Sequence, residues 1–361
     1  MPKAELQRRS RAHGTVRIEE VARVAGVSAI TVSRVLNTPA KVAEKTRRAV
    51  WDAIERTGYI PNQLAGSLAS NRSRTIGVII PTVVNSIFAD KVQGMTDVLS
   101  REGYQLLLAN SGYSLEVEAQ LVAAFVAQRP SGLVITGVTH AERTRSLLAR
   151  AGIPVVETWS LSSEPIDMLV GFSNEDAAYA MVRHLAGLGY RKIALVSAPV
   201  ADNDRAASRV EGYRKAVREL GLACDPRLER EASFSLRNGA LALQELLAEH
   251  RGIEAVFFAN DILAAGALLE CQRRGLRVPG DIGIAGFDDV DLAAEIVPGL
   301  TTVRIPRYEI GARAAALILD RIAGREPSEN VIDLGFEIVT RDSTRAPVEP
   351  QQSPARRRIE A

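Results

Sequence analysis

Short apolar runs with the make-up of buried strands recur along the chain, with helical stretches between them. They are Thr75–Ile80, Gln105–Leu108, Gly132–Ile135 and Pro154–Val156, then Lys192–Ser197, Ala255–Phe258 and Asp281–Gly286. Strands apolar on both faces, alternating with helices, specify parallel sheets covered on both sides. The two series follow a similar order, which predicts an α/β body of two lobes facing each other across a cleft. Ligands bind such sheets at the C-terminal ends of the strands. No GxGxxG or P-loop pattern follows any of these strands, so a nucleotide-dependent enzyme has no support.

Length and composition narrow the class further. The 361 residues are 46% hydrophobic, enough for two or three domains with sizeable cores and too apolar for a disordered chain. The two cysteines, Cys224 and Cys271, give neither a disulfide framework nor a zinc-ligand spacing. No metal or other cofactor is expected. No run of 18 apolar residues occurs, and the N-terminus lacks the apolar core of a secretory signal, so a cytoplasmic protein with no membrane partner is expected. The net charge is only +2, but residues 1–75 hold fourteen Lys/Arg against six Asp/Glu, a local +8 on a body of −6. A basic head on an acidic body is suited to a polyanion.

The head carries a helix-turn-helix pattern. Ile18, Val21, Ala22 and Ala25 fall on one helical face, Gly26 permits a tight turn, and Val27 plugs it. Ser28 is a suitable N-cap for a second helix over 29–37 that turns Val32, Val35 and Leu36 inward. A third helix over about 43–57 is expected to pack Val50, Ile54 and Trp51 on the pair. The outer face of the second helix presents Ala29, Ile30, Ser33 and Arg34, where such helices meet base edges in the major groove. Ala29 and Ile30 would read thymine methyls and Arg34 guanine. Asn62 can cap a short following helix with Leu64, Ala65 and Leu68 on one side, too short to be stable alone.

Val21-Ala-Arg-Val-Ala-Gly-Val-Ser28, Thr31-Val-Ser-Arg-Val-Leu-Asn37 and Gly58-Tyr-Ile-Pro-Asn62 closely resemble the head of the lactose/galactose repressor (LacI/GalR) family. The likeness runs on through Ala65, Leu68 and Ile76-Gly-Val78 and covers about residues 16–345. It implies a DNA-binding transcriptional repressor with a two-lobed body similar to periplasmic sugar-binding proteins. It also implies a homodimer on a pseudo-palindromic operator, with a small-molecule effector in the cleft. Arg17, Ser28, Ala29, Ile30, Thr31, Ser33, Arg34 and Asn37 then belong to the DNA-binding set, as do Asn62 and Ala65. Leu68 matches the residue that wedges into the minor groove. Arg17 departs from the family, which usually has Thr or another cap there; Thr15 is the alternative cap. The implied organisation is a basic flexible arm (1–15), the helix-turn-helix domain (16–60), a hinge helix and linker (61–74), the effector-binding and dimerisation body (75–344) and a disordered tail (345–361). Chain crossings between lobes are expected near 171–174, 300–306 and 333–337.

Strand ends supply the effector candidates. Arg205 and Arg209 share one face at the start of the helix after Lys192–Ser197, an arrangement suited to an anion or to surface ion pairing with Asp202, Asp204 or Glu211. Asn260 and Asp261 follow another strand, and Asp261 is either a helix cap or a ligand contact. Phe234 and Trp159 are candidate stacking walls, and Asn85 can reach in from the other lobe. By the resemblance, Arg209 falls at an effector contact and Asp288 at the acidic residue that holds ligand hydroxyls. Within the family, Val155–Trp159, Pro165–Asn174 and Glu270–Pro279 are most similar to the gluconate-utilisation repressors, which implies a sugar acid as effector; a neutral sugar or a purine is the alternative. None of His13, His140, His184 and His250 stands in a catalytic pattern, Ser197 lacks a nucleophile elbow, and no enzyme activity is assigned.

Overall fold

A computed structural model of the chain describes residues 16–59, 73–84 and 86–346. It divides into two compact units, Met1–Ser73 and Arg74–Ala361. The expectations placed on the arm, Thr15, Asn62, Ala65, Leu68, Asn85 and the tail from 347 lie outside the described residues, as does the side chain of Asn37.

Among the described residues the first unit has three α-helices, α1 (Ile18–Ala25), α2 (Ala29–Asn37) and α3 (Glu44–Thr57), with a short 3-10 turn at Pro39–Lys41 before α3. Gly26 ends α1 at φ +68°, a left-handed conformation that glycine adopts without penalty, and turns the chain into α2. Ser28 caps α2, its hydroxyl accepting from the Thr31 amide at 3.2 Å. Arg17 precedes α1 with no side-chain cap bond. Val21, Ala22, Val32, Val35, Val50 and Ala53 form the core. Two expectations are corrected here. Trp51 is 51% exposed, because α3 turns Val50 and Ala53 inward and position 51 lies about 100° around the helix from Val50. Val27 is half-buried rather than a sealed plug.

The second unit is built on two six-stranded sheets. In chain order its main elements are β1 (Thr75–Ile80), α4 (Ile87–Arg101), β2 (Gln105–Asn110), α5 (Leu115–Ala127), β3 (Gly132–Thr136), α6 (Glu142–Ala151), β4 (Val155–Thr158) and β5 (Met168–Gly171). Then come α7 (Asn174–Gly187), β6 (Ile193–Ser197), α8 (Asp204–Glu219), β7 (Glu229–Glu231), α9 (Leu236–Glu249), β8 (Ala255–Phe258), α10 (Asp261–Arg274), β9 (Gly283–Asp288) and α11 (Asp291–Glu295). The last are β10 (Thr301–Arg304), α12 (Arg307–Ile322), β11 (Val331–Asp333) and β12 (Glu337–Val339). The sheet orders are β11-β5-β4-β3-β1-β2 and β12-β10-β9-β8-β6-β7. All pairings are parallel except β10 with β12. Each sheet therefore contains the same five-strand order, the duplication anticipated from the strand series. The chain passes between sheets after β5, after β10 and between β11 and β12.

Helices α4 and α12 pack together on the first sheet. Gly94 lies against the Tyr308 carbonyl and Gly311 against the Lys91 carbonyl, so a Cβ at either position would strike backbone. β2 is an edge strand, and Leu107 and Leu108 are exposed rather than buried as a run of leucines suggests.

Candidate functional site

Where β6 and β8 lie side by side, the strands before and after them in the chain run to opposite sides of the sheet, and this switch point opens a crevice at the strand C-termini. Ser197 and Ala198 leave β6 there, and Ala259 and Asn260 leave β8. With Ile87, Phe88, Tyr113 and Trp159 from the first lobe, and Asn203, Arg205, Ala206, Arg209 and Phe234 from the second, they line a narrow crevice with a cavity volume of about 20 Å³. The structure thus brings Trp159, Arg205, Arg209, Phe234 and Asn260 to one cavity. Trp159 packs on Phe88 with ring centroids 5.1 Å apart, and Tyr113 meets Phe234 across the lobes at 5.8 Å. Tyr113, Trp159, Asp202, Asp288 and Asp289 all have positive φ. Strained non-glycine backbone is concentrated on this cavity and its rim.

Arg209 is buried. Its Nε donates to Asn174 Oδ1 at 2.8 Å, its Nη1 donates to the Ala259 carbonyl at 2.7 Å, and its guanidinium lies 3.7 Å from the centre of the Phe287 ring. Its Nη2 is 3.8 Å from Asp288 Oδ1, too far for a hydrogen bond. Burial lowers the Arg209 pKa to about 10 despite the attraction of Asp288. Burial likewise lifts Asp288 to about 6, against the pull of Arg209 and Arg307 and a bond donated by Asn260 Nδ2 at 2.5 Å. Desolvation outweighs pairing on both sides, because the ion pair is open. Asp288 Oδ1 has no hydrogen-bond partner among the described residues. A buried acceptor and a buried guanidinium therefore flank a gap that a ligand's polar group can close.

Arg205 Nη1 donates to Asp204 Oδ1 at 2.7 Å, one of the surface-pairing alternatives, yet Arg205 is buried and Asp204 half-buried rather than at the surface. Asp204 Oδ2 also accepts from the Val138 amide at 2.6 Å, which ties α8 to the opposite lobe. Arg307 makes a second tie: Nε donates to Asp90 at 2.7 Å and Nη1 to the Asp289 carbonyl at 2.8 Å. Asp261 is a correction. Asn260 caps α10, its side chain accepting from the Ile262 amide, and Asp261 is neither the cap nor a wall of the cavity. Its Oδ1 accepts from Thr302 Oγ1 at 2.6 Å and its Oδ2 from the Val290 amide at 2.9 Å, so it braces β10 and the loop after Asp288.

Residues lining the cavity or standing behind its wall escaped the sequence reading. Tyr113 follows β2 and is legible only once that strand's end is placed. Lys91, behind Trp159, is fully buried; Nζ donates to Thr136 Oγ1 at 2.8 Å and Thr158 Oγ1 at 2.7 Å. Its signal was its place on the Phe88–Met95 stripe of α4. In the same lobe His140 sits between two buried carboxylates, Nδ1 at 2.8 Å from Glu118 Oε1 and Nε2 at 3.2 Å from Glu157 Oε1.

On the head, Ile30 is 67% exposed, and Arg17, Ser28 and Arg34 are exposed as well. Ala29, Thr31 and Ser33 are half-buried, and Ala29 also packs on the three-helix core. The N-terminal turn of α2 thus carries one large apolar side chain into solvent, with a guanidinium one turn along.

The family model for bacterial regulatory proteins of the lacI family matches residues 17–62, and that for a periplasmic binding protein-like domain matches residues 182–344. The HTH-type transcriptional regulator GntR of Pseudomonas aeruginosa is 39% identical over 339 residues, covering 93% of this chain and 97% of the relative. A LacI-family transcriptional regulator from Silicibacter pomeroyi superposes with a TM-score of 0.86 at 33% identity, covering 92% of this chain and all of that one. The lac repressor dimer bound to operator superposes with a TM-score of 0.80 at 29% identity, covering 92% and 100%. The relatives are transcriptional regulators, not enzymes, and by these likenesses along nearly its whole length the chain belongs to the LacI family of DNA-binding regulators.

Proposed function

We propose that the protein is a homodimeric repressor whose operator affinity is set by a sugar acid such as gluconate, held in the cavity between the two sheets. One observation carries the reading: two buried arginines, Arg205 and Arg209, stand on one helical face at the cavity, beside a buried Asp288 with one oxygen lacking a hydrogen-bond partner among the described residues. Guanidiniums suit a carboxylate, and Asp288 suits hydroxyls. The likeness of residues 155–159, 165–174 and 270–279 to the gluconate-utilisation repressors supports the same ligand class. Ile30 and Arg34 are assigned to base edges, and Leu68 to the minor groove. The exposed Leu107 and Leu108 on the β2 edge support pairing of two copies.

Calorimetry with gluconate, glucose and a purine base tests the effector class. Wild type is expected to prefer gluconate. Arg209→Ala weakens it roughly 10- to 100-fold, since charge-assisted hydrogen bonds contribute about 1.5–3 kcal/mol. Melting curves check that the variant folds, and gel shifts with operator show whether gluconate changes DNA binding. Equal binding of acid and aldose by wild type would overturn the carboxylate role, and a neutral sugar would take its place.

A further inference from the structure

We propose that Lys91 is a third cationic group of the effector site, lodged behind the Trp159 wall, and that it takes up a proton when an anionic effector enters. This rests on the acid-effector reading above.

Among the described residues Lys91 has no carboxylate partner. Its Nζ is held by the hydroxyls of Thr136 and Thr158, at the C-terminal ends of β3 and β4, and each hydroxyl passes its own proton to a backbone carbonyl, Ile79 and Ile135 respectively. Both threonines therefore present lone pairs to the amine, an arrangement that accepts either –NH₂ or –NH₃⁺. Nζ lies 5.8 Å from the centre of the Trp159 ring, and Trp159 and Phe88 are cavity walls. The amine is thus one side chain away from the ligand space.

On the helix of Lys91, Asp90 is paired with Arg307 of α12, and Asp97 accepts from Tyr308 of α12. β3 presents Thr136. On β4, Glu157 accepts from the Ile166 amide and meets His140. From the second lobe, Arg205 stands with Asp204. Burial, and then repulsion from Arg205, bring the Lys91 pKa down to about 7. An effector carboxylate placed against Arg205 and Arg209 reverses the local field. At an effective dielectric near 20, one unit charge within roughly 10 Å changes an ionisation equilibrium by about an order of magnitude. Proton uptake follows at slightly alkaline pH, where the cavity carboxylates are already ionised.

The chain has only six lysines, so ¹³Cε-lysine NMR of the full-length protein resolves the amine, with Lys91→Met assigning its signal. Without effector, one lysine is expected to titrate near neutrality; with saturating gluconate its titration moves up by about one pH unit. Calorimetry in two buffers of different ionisation heat at about pH 7.7 should report uptake of roughly half a proton by wild type and none by Lys91→Met. Gluconate affinity should fall about tenfold between roughly pH 6.5 and 9 in wild type, and far less in the variant. A lysine that only braced the threonines would leave the proton count at zero. A Lys91 signal that titrates with the other lysines, or does not move when gluconate binds, overturns the proposal and leaves the effector reading standing. If gluconate does not bind while glucose or a purine does, the effector reading fails and proton uptake fails with it. Should Lys91→Met not fold, the wild-type titration and two-buffer calorimetry still decide.

Discussion

Lys91 and His140 are both buried in the first lobe and are displaced in opposite directions. Lys91 falls from 10.5 to about 7 through burial and the nearby Arg205. Between those values the folded protein binds fewer protons than the unfolded chain, so stability from this group rises with pH, and its cost is felt in full below pH 7. Lys91→Met is therefore expected to stabilise the ligand-free protein by on the order of 4–5 kcal/mol near pH 6.5, with most of the gain gone by about pH 10.5. Burial works against the His140 charge too, but the bonds to Glu118 and Glu157 overcome it and raise the imidazole to about 9. Its contribution is complete below about pH 6.5 and is lost as pH rises through 9. His140→Gln should cost about 3 kcal/mol at pH 6 and little above pH 9.5. Urea melts of both variants across this range check the two slopes; parallel, pH-independent shifts would rule out both linkages. Of these groups only Lys91 left a trace in the sequence, as a lysine on an apolar helical stripe. Glu118 and Glu157 stand on different elements from His140, and local periodicity cannot join them.

At the scale of elements, close packing is set by the glycine pair where α4 crosses α12. Gly311→Ala puts a methyl against the Lys91 carbonyl, and a cost of about 1–3 kcal/mol is expected from the shift this forces. A chemical melt measures it, and an unchanged midpoint would mean that the helices separate freely. The same crossing holds the backbone of Lys91, so the substitution should also disturb the amine's titration. Strands were legible where four or more apolar residues ran together, as in Thr75–Ile80 and Ala255–Phe258. They were illegible where the element was short or polar. β7 is Glu-Arg-Glu, and β11 and β12 are three residues each at sheet edges, where one neighbour and water suffice. The helix-turn-helix was legible nearly to the residue because cap, turn and apolar face are all local signals. Asp261 was misplaced for the converse reason: its partners Val290, in the loop after β9, and Thr302, on β10, come from far along the chain.

For the whole molecule, the charge separation between head and body is expected to govern how the repressor meets DNA. If a dimer engages roughly eight phosphates through its basic heads, the logarithm of operator affinity should fall with the logarithm of salt at a slope near −7. A titration of binding from low to moderate salt gives the slope, and a value close to zero would remove the electrostatic role of the head. The three passages of the chain between the sheets have a different consequence, which lies in synthesis. Neither lobe is a continuous stretch of polypeptide: the first sheet receives β11 at 331–333 and the second receives β12 at 337–339. A nascent chain therefore cannot finish one lobe and then begin the other. Both sheets wait, each with an open edge, for the same short stretch to leave the ribosome, and a chain stopped before it would lack an edge strand in both lobes at once.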